Sequence, residues 1–148
     1  MNVINYVRFE FPSLPENVAF ARSCVGAFAS QLNCTLDDIE EIKLVVSEAV
    51  SNCIIHAYQN RGDGRIEIIA SLMDDRSLEL TIKDYGKGID NLEEALQPSY
   101  SSDPARMGMG FTFMKSFTDE MLVDSKPDEG TSVILKRHFI TRDREAYA

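Results

Sequence analysis

The 148-residue sequence carries 24 Asp and Glu against 15 Lys and Arg, for a formal charge of −9. That balance has the wrong sign for a chain whose main partner is a phosphate backbone, so direct nucleic-acid binding is disfavoured. No window approaches the roughly eighteen apolar residues of a membrane span, and MNVINYVRFEF lacks the pattern of a signal peptide. Cysteines at 24, 34 and 53, without C-x-x-C spacing, suit reduced thiols. A cytoplasmic protein of one domain, covering 1–148, is expected from these observations.

In chain order, INYVRFEF (4–11) mixes β-branched and aromatic residues with polar ones and is closed by Pro12 and Pro15, which predicts an edge strand. From Glu16 to Leu32, Val18, Phe20, Ala21, Val25, Phe28 and Leu32 recur at helical spacing. A second helix begins after Thr35, an N-cap followed by Asp37 and Asp38. Its core stripe is Ile39, Ile42, Val46, Ala49 and Cys53, and the pattern lasts to about Tyr58. RIEIIASL (65–72) and SLELTIK (77–83) predict one hairpin; DEMLVDS (119–125) and TSVILKR (131–137) predict another. Between them lie DYGKG, a short acidic helix NLEEAL, a polar stretch, and GMGF opening a helix toward Phe117. Helices over one sheet face give an α+β, two-layer sandwich. The tail, 138–148, is charged and expected to fray.

Four short stretches could carry chemistry. In the second helix, Glu48, Asn52 and His56 recur at intervals of four, so neighbours lie about 40° apart on one stripe. Alone, that is a boundary face. DYGKG (84–88) follows a strand: Asp84 could accept a hydrogen bond from an exocyclic amine, while Gly86 and Gly88 permit tight turns and close approach of a flat ligand. GMGF (Gly108, Met109, Gly110, Phe111) at a helix start offers backbone N–H groups to an anion, and Arg106 just ahead can add a charged contact. In EGT, Thr131 follows a turn glycine and could hold a base edge.

Taken in order, E-x-x-x-N, hairpin, D-x-G-x-G, polar segment, G-x-G-F and G-T resemble the ATP-binding domain shared by gyrase, heat-shock protein 90, histidine kinases and mismatch-repair ATPases, the GHKL or Bergerat fold. That fold has a mixed, mostly antiparallel sheet with helices on one face. The runs SEAVSNCIIHAY, GIDNLEEALQPSY and GMGFTFMKSFTDEMLVDS resemble the bacterial serine-kinase anti-sigma factors, most of all those of sporulation, over about Phe9 to Leu135. The sequence is expected to be a bare ATP domain, without the dimerisation and phospho-acceptor helices that a histidine kinase needs.

The resemblance implies binding of ATP or ADP by Asn52, Asp84, Gly86, Gly88, Arg106, Gly108, Met109, Gly110, Phe111 and Thr131, with Asn52 coordinating Mg²⁺. It implies Glu48 as general base toward a serine hydroxyl of an anti-anti-sigma factor, Arg22 on an exposed partner surface, a sigma factor (sigma F) as bound partner, and a homodimer. His56 stays open between a hydrogen-bonding support and a satisfied core histidine. In the segment 98–110, shorter than the family pattern, Asp103 and Met107 stand where basic and small polar residues are usual. That departure keeps two alternatives: a nucleotide-gated anti-sigma module with little kinase activity, and a stress-response paralogue acting on another sigma factor.

Overall fold

The computed structural model describes residues 2–89 and 107–139. The elements are β1 (Val3–Pro12), α1 (Glu16–Ala29), α2 (Leu36–Asn52), a π turn (Cys53–Ala57), β2 (Arg65–Met73), β3 (Ser77–Asp84), α3 (Met107–Ser116), β4 (Glu120–Lys126) and β5 (Gly130–His138). The strands form one sheet in the order β1-β2-β3-β5-β4. β1 is the expected edge. Every described pairing is antiparallel, so the parallel component implied by a mixed sheet is absent among the described residues.

Period-two alternation sets the sheet's inner face. Ile66, Ile68, Ala70 and Leu72 of β2, Leu78, Leu80 and Ile82 of β3, and Val133 and Leu135 of β5 are buried. Against them lie Ala21, Val25 and Ala29 of α1 and Ile42, Val45, Val46, Ala49 and Val50 of α2. This is the expected two-layer arrangement. α2 starts with a capping box: Asp38 N donates to Thr35 Oγ1 at 3.0 Å, and Thr35 N donates to Asp38 Oδ2 at 2.9 Å. Near the same end Arg137 of β5 reaches Asp38 Oδ1 at 2.7 Å and Glu41 Oε2 at 2.6 Å, and donates to Phe117 O at 3.2 Å. One guanidinium therefore ties α2, β5 and the end of α3 together.

Several boundaries differ from the sequence expectation. α1 stops at Ala29, and Ser30 to Leu32 close in tighter turns. Phe20 is 53% exposed instead of core, resting edge-to-face on Phe9 at 6.1 Å between centroids. The buried line of α1 is Ala21, Val25 and Ala29, so its immediate neighbour Phe20 falls about 100° away. His138 and Phe139 do not belong to the tail expected from 138: His138 closes β5 and Phe139 is 3% exposed. The helix expected at 91–96, the stretch 98–106 with Asp103 and Arg106, and residues 140–148 lie outside the described residues.

Candidate functional site

Asp84 ends β3 with its carboxyl group turned into the protein, 4% exposed. Its Oδ1 accepts from Gly86 N at 3.0 Å and from Thr131 N at 3.2 Å, across the Asp84–Thr131 register pair. Burial pushes its pKa up; the Gly86 and Thr131 amides and the Cys53 thiol pull in the opposite direction without cancelling the shift. An ionised carboxylate here is under-solvated and improves with one more donor. The same burial, reinforced by the Asp84 charge, drives the Cys53 thiol well above its ordinary pKa. It is a packing and hydrogen-bonding group, not a thiolate.

The glycines of the loop make the tight turn expected of them, and their missing Cβ atoms face neighbouring protein. A Cβ on Gly86 would fall 2.4 Å from Ala57 O, and one on Gly88 would fall 2.0 Å from Lys126 O. Gly88 also needs its φ of +74°. Close approach at both positions is thus protein on protein, which fixes the loop between the π turn and the β4–β5 hairpin. Lys87 N donates to Ala57 O at 3.3 Å and Asp128 N to Lys87 O at 2.6 Å, completing that clamp.

Glu48 and Asn52 sit half-buried on the last turns of α2. The helix then widens into the π turn, closed by Tyr58 N donating to Cys53 O at 3.0 Å, and His56 lies within that turn. Asn52 Nδ2 is buried with no hydrogen-bond partner among the described residues. Amide nitrogen and oxygen are assigned by their surroundings. A buried, unsatisfied amide therefore fits a side chain that completes its bonding with a ligand, and turned over it presents an oxygen suited to a hard cation. Among the described residues no three His, Cys, Asp or Glu side chains gather into a metal cage. A cation held by one side chain and substrate phosphates needs none.

Residues 108–111 form the first turn of α3, which begins at Met107, instead of preceding the helix. The N–H groups of the helix's first residues, Gly108 and Met109 among them, belong to the unpaired set at a helix start. Phe111 is 4% exposed within the apolar core, so any ligand contact from it would come through its main chain. α3 packs on α2. Arg22, expected to be exposed, is half-buried: its Nη1 donates to Ser47 Oγ at 3.5 Å, beside Glu48 in sequence.

The sequence profile of the histidine kinase-like ATPase domain matches residues 11–137. The chain belongs to this ATPase family. Within it, anti-sigma F factors are close relatives: that of Priestia megaterium is 48% identical over 137 residues, 91% of this chain and 93% of the relative. The anti-sigma F factor of Halalkalibacterium halodurans is 51% identical over the same shares. Among solved structures, a Mycobacterium tuberculosis chain with RsbU and RsbW domains superposes with a TM-score of 0.67 at 16% identity, over 91% of this chain and 32% of that one. The histidine kinase domain of a blue-light activated kinase from Erythrobacter litoralis gives 0.58 at 20% identity, over 86% of this chain and 61% of that one. Those two likenesses show the fold alone.

Two residues that brace this candidate site escaped the sequence reading. Tyr58, 4% exposed, donates its hydroxyl to Arg65 O at 2.5 Å and accepts from Tyr85 N at 2.7 Å, joining the π turn to β2 and to the residue after Asp84. Nothing in a tyrosine closing an apolar run signals this. Ser125 bonds the Thr131 hydroxyl and Ile89 N. A signal existed: with the KPDEG turn at 126–130, Ser125 falls opposite Thr131. Among the described residues no helix is long and apolar enough to cross a membrane.

Proposed function

We propose that the chain is an ATP-dependent protein-serine kinase that also binds and inhibits a sporulation sigma factor, sigma F, acting in the cytoplasm as a single-domain homodimer. The observation that carries the proposal is Glu48 one helical turn before Asn52, directly ahead of the π turn that seats Asp84. The anti-sigma F factor relatives support the partner assignment, with an anti-anti-sigma factor as protein substrate.

In this reading Asp84 takes the adenine amine, the unpaired donor its buried carboxylate lacks, and Gly86, Gly88 and Thr131 hold that floor in place. Gly108, Met109, Gly110 and Phe111 turn main-chain N–H groups to the phosphates, with Arg106 adding a charge. Asn52 would hold Mg²⁺ through its amide oxygen, and the cation would supply neutralisation of phosphate charge. Glu48 orients a substrate serine hydroxyl and takes its proton as the oxygen attacks the γ-phosphorus of ATP, whose bond to the β–γ bridging oxygen breaks to release ADP. A carboxylate one turn from the metal ligand suits that task because nucleophile and metal converge on one phosphate. Arg22, bonded to Ser47 beside Glu48, belongs to the surface where a protein partner would approach.

The test incubates the protein with labelled ATP, Mg²⁺ and the cognate anti-anti-sigma protein, and reads phosphoserine alongside capture of sigma F. Phosphoserine formation lost in Glu48→Gln, with sigma F and ATP still bound, is expected. Capture of sigma F with no phosphoserine from the wild type would reduce the protein to a nucleotide-gated binding module.

A further inference from the structure

The bonds at Ser125 exceed what a hairpin requires. Ser125 stands opposite Thr131 on the β4–β5 ladder, and Thr131 stands opposite Asp84 on the β3–β5 ladder. Ser125 Oγ lies 2.8 Å from Ile89 N, 3.2 Å from Gly130 O and 2.7 Å from Thr131 Oγ1. Three neighbours meet one hydroxyl, which has one proton and two lone pairs.

We propose that Ser125 fixes the Thr131 hydroxyl as an acceptor and thereby makes the base site select a 6-amino over a 6-oxo purine; this rests on the reading of Asp84 as the adenine contact. The amide of Ile89 can only donate, so it occupies one lone pair. The carbonyl of Gly130 can only accept, so it takes the Ser125 proton. The second lone pair then receives the Thr131 proton, and all three contacts are made at once only in this arrangement. Thr131 Oγ1 is left with lone pairs alone.

Two acceptors therefore belong to one register pair of neighbouring strands, Thr131 Oγ1 and the Asp84 carboxylate. An exocyclic amine carries two protons and satisfies both. A ring carbonyl at the same position meets two oxygens and leaves them unpaired, the arrangement that gives hydrogen-bonding sites their strongest discrimination. Without Ser125 the Thr131 hydroxyl is free to turn its proton outward and donate it to the carbonyl. Ser125 acts through Thr131 and is a positioning residue.

The experiment measures the dissociation constants of ADP and inosine diphosphate for wild type, Ser125→Ala, Ser125→Thr and Thr131→Val by calorimetry. The inosine-to-adenine ratio should fall about tenfold in Ser125→Ala, a change of the size one hydrogen bond gives. Thr131→Val should fall similarly, Ser125→Ala combined with Thr131→Val no further, and Ser125→Thr, which keeps the hydroxyl, should hold the wild-type ratio. A wild-type ratio in Ser125→Ala, or an equal loss in Ser125→Thr, overturns the proposal while leaving the Asp84 reading standing. A wild type that binds both diphosphates equally overturns the two together.

Discussion

Replacing Asp84 by Asn separates stability from binding. Asn keeps a carbonyl oxygen for the Gly86 and Thr131 amides, now 3.0 and 3.2 Å from Oδ1, but carries no charge. Because burial raises the Asp84 pKa in the fold, the folded protein holds this proton more tightly than the unfolded chain does. Wild-type stability therefore falls as pH rises from the unfolded value, about 4, through the folded one. Asp84→Asn removes that loss, so its Tm without nucleotide should match the wild type near pH 4 and exceed it at pH 7. Nucleotide binding moves oppositely. Losing a charged hydrogen bond to the adenine amine costs about 1.5–3 kcal/mol, or roughly 10- to 150-fold in Kd. Melting curves at the two pH values and ADP calorimetry check both halves. A variant that melts lower at pH 7 and binds ADP as tightly as wild type would refute the reasoning.

Glu48→Gln should slow phosphoryl transfer about 10²–10⁴-fold with ATP affinity nearly unchanged, measured by single-turnover labelling; a loss under tenfold would remove the general-base role. Arg137→Met should lower stability by about 2 kcal/mol, seen as a Tm drop of about 4–8 °C, since Asp38 and Glu41 lose their common partner in a partly buried setting. Tyr58→Phe should cost about 1–2 kcal/mol in denaturant unfolding and also weaken ADP binding, because the lost hydroxyl holds Tyr85 N beside Asp84. Gly88→Ala should destabilise by at least about 1–3 kcal/mol in the same assay, with φ at +74° and the Lys126 carbonyl in the path of the methyl group.

The strands were legible because alternation and turn residues are local signals, and the hairpin pairs follow from them. The helix starts were legible too: Thr35 and Asp38 announce their own capping box. The π turn was not, since CIIHA has no composition of its own and the widening accompanies docking of the Ala57 carbonyl against Gly86 and Lys87. For the same reason the glycines of DYGKG read as room for a ligand when their space is filled by neighbouring main chain. Order and spacing brought Asp84 and Thr131 together correctly, but the support beneath them, Ser125 and Tyr58, depends on which strand faces which.

The sheet order carries a consequence for how the molecule is made. β5, the last of the described strands in sequence, lies between β3 and β4, so it closes a gap that stays open until residues 130–138 are available. Until then β3 presents an unpaired edge with Leu78, Leu80 and Ile82 on one side, the kind of edge that recruits other chains. Asp84 also lacks its Thr131 donor over that interval. Synthesis therefore completes the described sheet only with β5, and a chain cut short before Gly130 is an aggregation hazard.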